Sequence, residues 1–241
     1  MFDNKKVIIT FTTIPSRFPY LGSLIFSLQN QTIPVDEIVL SIPKESIREP
    51  YNLNLYSEDI IKQYQNMGIT ILRVSKDYGP ATKILGLLER ELDQHTKDTE
   101  PIIITVDDDK VYSKHIVSDL LNQYTCNQNS VLCRKGIILR KINKNSIAYQ
   151  NSRYYQAINY YETPVRGCDI STNLQVNTLL GTGGVLYKPS FFDSEIFNIP
   201  IKDDIIFMDD LYLSGYLSQK QIKIIVCSFP KTRVINILEN K

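Results

Sequence analysis

The chain of 241 residues has almost no excess of either charge, with 27 Lys and Arg against 26 Asp and Glu and a net charge of +1. It therefore lacks the basic surplus that marks sequence-independent nucleic-acid binding. Cysteine is sparse: Cys126, Cys133, Cys168 and Cys227 form no CxxC pair and keep no regular spacing. That argues against a disulfide framework or a thiolate zinc site, and the expectation is reduced, structural thiols. Apolar runs are short. The longest, such as Ile102 to Val106, have strand length, far below the roughly 18 to 20 apolar residues that span a bilayer. The first residues show no signal-peptide pattern, so the cytosol is the expected location. Internal repeats, low-complexity tracts and glycine/serine linkers are also missing.

What remains is an ordinary globular composition, 43% hydrophobic and 22% charged, which excludes wholesale disorder. Chains above ~150 residues bury roughly 70% of their unfolded surface, so a sizeable core is expected. Val7 to Thr12, Glu37 to Ile42, Ile69 to Val74 and Ile102 to Val106 read as strands. Between them lie helical patterns at Pro19 to Asn30, Ser57 to Met67 and Thr82 to Leu92, the first with Leu21, Leu24, Ile25 and Leu28 on one face. Strands alternating with helices imply parallel βαβ units and a sheet covered on both faces. After Ile137 the pattern loosens into a polar, tyrosine-rich stretch containing Tyr149, Tyr154, Tyr155, Tyr160 and Tyr161. Gly181-Thr182-Gly183-Gly184, a run from Val185 to Tyr187, a helical pattern from Asp204 to Ser218 and a last strand, Ile222 to Val226, follow. The expectation is one continuous α/β domain over 1–241.

Ligands of such sheets bind beyond the carboxyl ends of the strands. Asp107-Asp108-Asp109 stands there, directly after Ile102 to Val106. In extended backbone, side chains at i and i+2 share a side, so Asp107 and Asp109 can converge while Asp108 faces elsewhere. Converging carboxylates repel and call for a positive partner; a hard divalent cation, Mg²⁺ or Mn²⁺, fits and can bridge to a diphosphate. The plainer alternative is a solvated turn, or carboxylates capping the helix that begins near Ser113.

With these residues in view, the chain resembles a nucleotide-sugar-dependent glycosyltransferase of the GT-A fold, in the broad family-2-like group. Thr12-Thr13-Ile14-Pro15-Ser16-Arg17 is similar to the nucleotide-facing first loop, and Ser27 to Thr32 with Asp36-Glu37-Ile38 to the stretch joining the first helix and second strand. Lys76 to Lys83 matches the DYGP-x-TK loop and Asp107-Asp108-Asp109 the DxD element. Gly181 to Gly184 is similar to the acceptor-side glycine segment, and Met208 to Ser214 to the late acidic motif. The resemblance implies a Rossmann-like, mostly parallel sheet flanked by helices. Residues 1–112 would bind the nucleotide sugar, and a less regular half, 113–241, the acceptor.

The resemblance also distributes roles. Thr12, Thr13, Pro15 and Ser16 would form the nucleotide loop, and Arg17 would reach a phosphate or ribose. Asp77 would accept from a pyrimidine N–H or a ribose hydroxyl, although a turn before Gly79-Pro80 uses aspartate just as readily. Lys83 would meet the diphosphate, Asp107 and Asp108 would also bind the donor, and Asp109 with Asp107 would hold Mn²⁺ or Mg²⁺. Asp209 or Asp210 would be the general base of an inverting transfer, with Asp210 preferred; capping of the last helix is the alternative. Asp203 and Asp204 lie in the same acidic neighbourhood. No histidine follows the late acidic motif, so the further metal ligand of many relatives is missing, and His95 and His115 read as structural. The donor is expected to be a nucleoside-diphosphate sugar, with a UDP-sugar as the family-level guess, and the acceptor a glycan or another hydroxyl compound. Two other readings compete: a sugar-phosphate nucleotidyltransferase, against which stands the absence of glycine before Gly22, and a non-catalytic nucleotide-sugar-binding module.

Overall fold

A computed structural model describes residues 5–50, 56–92, 99–141, 160–198, 208–230 and 235–236. The chain runs β1 (Val7–Phe11), α1 (Gly22–Gln29), β2 (Glu37–Pro43), α2 (Glu58–Asn66), β3 (Ile69–Val74), α3 (Thr82–Glu91) and β4 (Ile102–Thr105). It continues through β5 (Lys110–Val111), α4 (Ile116–Tyr124), β6 (Ser130–Cys133), β7 (Lys135–Lys141), β8 (Tyr160–Arg166), β9 (Leu174–Val176), β10 (Thr178–Leu179) and β11 (Val185–Tyr187). Helix α5 (Asp209–Gln219), β12 (Lys223–Val226) and β13 (Ile235–Asn236) close the series.

Eight strands form the central sheet in the order β3-β2-β1-β4-β11-β6-β12-β9. Neighbours β3, β2, β1 and β4 are parallel, as are β6 and β12, while β11 and β9 run against them. The mostly parallel sheet expected from the alternating pattern is therefore present, with one reversed strand set into its middle. Two smaller ladders, β10-β7-β8 and β13-β5, flank it.

Period-two alternation explains why the strands read as unbroken apolar runs. Ile9, Ile38, Leu40, Ile102 and Ile104 face a core shared with Leu24 and Leu28 of α1, Ile61 of α2, and Leu120 of α4. Ile8, Val39, Ile103, Val185 and Ile224 face the other core, with Leu85 and Leu88 of α3 and Leu213 and Leu217 of α5. Both faces of the sheet are thus covered, as parallel strands require.

Several boundaries differ from the sequence pattern for local reasons. The first helical segment is split: Phe18–Tyr20 forms a 3₁₀ turn and α1 starts only at Gly22, because the chain first bends after Pro15 through hydrogen bonds from Arg17 and Phe18 to Ile14 O. Helix α4 begins at Ile116 rather than near Ser113, and α5 begins at Asp209. Strands β6 to β9 were not visible as strands in the sequence. Asp203, Asp204, His95, Tyr149, Tyr154 and Tyr155 lie outside the described residues.

Candidate active site

The carboxyl ends of β1 and β4 open into a cleft of about 250 Å³. Thr12 enters it from β1, and Asp107, Asp108 and Asp109 from β4. Lys83 enters from the first turn of α3, Asp209 and Asp210 from the first turn of α5, and Gly181 and Thr182 from the 3₁₀ turn Gly181–Gly183. Thr10 Oγ1 donates to Lys83 O at 2.7 Å, fastening the start of α3 to β1.

The centre of the cleft is a lysine. Lys83, only 6% exposed, donates to Asp107 Oδ1 at 2.9 Å and lies 2.9 Å from Asp209 Oδ2. The second approach is close without hydrogen-bond alignment, so Asp209 Oδ2 has charge compensation but no donor aimed at it. Burial works against the ammonium charge, yet Asp209, Asp107 and Asp210 together raise its pKa well above the ordinary lysine value. One buried cation therefore joins the aspartate triplet to the late acidic pair.

The other carboxylates are held differently. Asp108 accepts from Thr13 Oγ1 at 2.6 Å and from Arg17 Nη1 at 2.7 Å. Burial pushes its pKa up despite the Arg17 guanidinium beside it. Asp109 has looser partners, Lys110 Nζ at 3.3 Å and Arg17 Nη1 at 4.0 Å, and its side chain is one-quarter exposed. Asp210 accepts from Gly181 N through both oxygens, at 3.0 and 3.1 Å. Burial first, and then the Asp209 charge, raise its pKa to about 7, against the opposing pull of Lys83. A carboxyl that titrates near neutrality beside an open cleft is equipped to take a proton.

No family model matches this sequence, and no curated protein does. Among solved structures the chain is similar to Staphylococcus aureus TarS 1–349, at 14% identity and a TM-score of 0.50, covering 91% of this chain and 57% of that one. The same TarS segment in complex with UDP gives 15% identity, the same TM-score and the same coverage. The fold is that of a GT-A-type glycosyltransferase. This chain spans little more than half the length of the TarS structures.

Within the GT-A fold, the cleft gathers Thr12, Arg17, Lys83, Asp107, Asp108, Asp109, Asp209 and Asp210, eight residues scattered over almost 200 positions of sequence. Four other expected residues stand outside its lining. Thr13 is fully buried and supports Asp108 from behind, and Pro15 is buried in the bend before the 3₁₀ turn. Asp77 accepts from Ile47 N at 2.8 Å, Gly79 N at 2.7 Å and Thr82 Oγ1 at 3.0 Å, so it organises the loop between β3 and α3. Ser16, expected in the nucleotide loop, is instead exposed and bonded to Glu49. His115 lies at the start of α4, near Thr32.

Asp77→Ala leaves the Ile47 and Gly79 amides unsatisfied, and should destabilise the protein by about 2–4 kcal/mol. Urea denaturation reads that loss; UDP affinity, measured well below the transition, should stay within a factor of about two to three if Asp77 serves only the loop.

Arg48 was not legible as a site residue. It lines the cleft from the loop after β2, with Nη2 directed at Thr13 O at 3.5 Å and Nε buried without a partner among the described residues. Thr12 Oγ1 is likewise buried and unpartnered. Buried polar atoms of this kind are normally satisfied, and both of these belong to residues that line the cleft.

Gly181 has a specific reason to be glycine. A Cβ there would stand 3.1 Å from both Asp210 Oδ1 and Lys83 Nζ, wedging the carboxyl from its backbone donor. Gly181→Ala should lower turnover about 10- to 100-fold, the scale of a small misplacement of a reacting group. Its melting temperature should stay close to the parent's, which a thermal scan run beside the assay would check.

Proposed function

We propose that the protein transfers a sugar from a nucleoside-diphosphate sugar, here a UDP-sugar, to an acceptor hydroxyl in glycan or polysaccharide synthesis. The observation that carries this reading is the Lys83 bridge. It joins Asp107 to Asp209 beside Asp210, a proton acceptor of pKa about 7, in a cleft built of phosphate-matching cations and metal-matching carboxylates. The UDP complex of the similarly folded TarS supports a nucleotide as the ligand.

Arg17, Arg48 and Lys83 would face the diphosphate, and Thr12 Oγ1 and Arg48 Nε would find in the donor the partners they lack. Asp210, ionised, would take the proton of the acceptor hydroxyl. The oxygen so freed forms a bond to the anomeric carbon from the side opposite the diphosphate, and the breaking sugar–oxygen bond leaves its electron pair on UDP. A single displacement of this kind inverts the anomeric carbon.

The charge balance fits a divalent cation. Five carboxylates against three cations line the cleft, leaving two negative charges in excess before any diphosphate arrives. Among the described residues no three metal-ligating side chains stand together. Asp109 and Asp107 would therefore be the protein's own ligands, Asp109 being the less tightly paired of the two. When bound, Mn²⁺ or Mg²⁺ neutralises charge on the departing diphosphate.

The test is UDP titration by calorimetry, with Mn²⁺ and with EDTA. Mn²⁺ should tighten UDP binding at least about tenfold, and Asp109→Asn should erase that increment while leaving EDTA binding unchanged. Equal affinity with and without metal in the parent protein would overturn the metal assignment.

A further inference from the structure

Beyond Gly181 and Thr182 four basic side chains, Lys110, Arg134, Lys135 and Arg166, stand close to one another. Lys135 and Arg166 are directly opposed across the antiparallel pair β7–β8. Like charges in that position repel and lower stability. The Lys110 and Arg134 charges also bear on Lys135. Lys135 Nζ donates to Thr182 Oγ1 at 3.1 Å, which ties the group to the cleft wall. Among the described residues, neither Lys135 nor Arg134 has a carboxylate within ion-pair distance. Arg166 has only Asp169, at 2.7 Å and well exposed, and Lys110 has Asp109, at 3.3 Å. Arg134, 6% exposed, lies over the Phe229 ring with Nη1 unpartnered and adds its charge from behind.

A fold does not gain stability from four cations gathered in one place. A ligand that supplies the missing anion does. Resting on the reading of the cleft as a transferase site, we propose that Lys135 and Arg166 bind an oxyanion, a phosphate or carboxylate, carried by the acceptor. Seated there, the anion holds the acceptor against Thr182, one residue from the Gly181 amide that orients Asp210. Acceptors are then selected by charge, and neutral sugars are poor ones. The cleft is polarised, acidic where a metal-bound donor enters and basic where the acceptor docks.

The experiment uses the ¹⁵N-labelled full chain, held saturated with UDP so that donor-site cations are occupied. Glucose, glucuronate and glucose 6-phosphate are titrated separately. Glucose 6-phosphate, glucuronate or both should move the amide signals of Lys135, Arg166 and Thr182 at a concentration at least about tenfold below glucose. Whichever anion is the tighter tells phosphate from carboxylate. In Lys135→Gln/Arg166→Gln that preference should vanish, while the melting temperature equals or exceeds the parent's because the opposed charges are gone. Lys135→Arg should retain the preference. Equal binding of glucose and both anions, or anion shifts unchanged in the double variant, would overturn the proposal. A double variant that melts below the parent would also count against it, because it assigns Lys135 and Arg166 a structural role. Absence of UDP-induced shifts at Thr12 and Lys83 is a separate failure: it removes the donor reading, and the anion titrations still decide whether the basic patch binds.

Discussion

Asp210→Asn should cut sugar transfer about 10²- to 10⁴-fold, the usual contribution of a positioned general base. UDP binding should change little, because asparagine keeps the shape and can still accept from Gly181 N. The same variant should be the more stable protein at high pH. The raised pKa of about 7 means that the folded state prefers Asp210 protonated, whereas the unfolded chain releases that proton near the ordinary 3.8. Between those values the folded state binds more protons, so stability falls as pH rises, and above pH 7 the full penalty is present. Asparagine carries no such penalty. The variant should gain about 1–2 kcal/mol at pH 8 and nothing at pH 3 to 4, which denaturant titration at the two pH values would show. In the parent protein, kcat/KM for sugar transfer should fall on the acid side with an apparent pKa near 7, as Asp210 becomes protonated.

Lys83→Met should have the largest effect on the fold. The ammonium compensates Asp107 and Asp209 at 2.9 Å, and removing it strands charges at a buried site. Breaking one partner out of such a pair costs about 3–5 kcal/mol. The raised lysine pKa contributes stability that is fully present at neutral pH and is lost only as pH climbs through the folded-state value. The deficit of the variant should therefore be large at pH 8. It should shrink toward pH 4 to 5, where the stranded carboxylates take up protons instead. UDP affinity should drop at least about tenfold, the scale of one charge-assisted contact. Lys83→Arg should not restore it, because a planar guanidinium fork does not reproduce the point contacts of the ammonium with Asp107 and Asp209.

How much of this could be read from residues alone depends on whether the signal was local. Ile8 and Ile9, Ile103 and Ile104 face opposite cores, so a continuous apolar run announced a strand buried on both faces. The aspartate triplet announced a strand end. By contrast, β11 is three residues between a glycine turn and a proline, and nothing in Val185 to Tyr187 encodes that it runs against β4 and β6. Strand β7, Lys135–Lys141, carries too many charges for a buried pattern because it belongs to the flanking ladder. Arg48 sits in an aperiodic loop and becomes a site residue only because β2 ends beside β1. Asp77 shows the converse: a turn before Gly79-Pro80 and a nucleotide contact use the same residue, and its hydrogen bonds to Ile47 N and Gly79 N become visible only in the fold.

If this cleft cleaves a nucleotide sugar with Asp210 as base, UDP should be released only while metal is bound and Asp210 can accept a proton. The most direct measurement follows UDP release from a panel of UDP-sugars with Mn²⁺ or EDTA, in the parent and in Asp210→Asn. At least one UDP-sugar should release UDP, only with metal, and the variant should be slower by about two orders of magnitude or more. Release that proceeds equally in EDTA or in the variant would contradict it. So would pyrophosphate formed from a sugar phosphate and a nucleoside triphosphate in place of UDP.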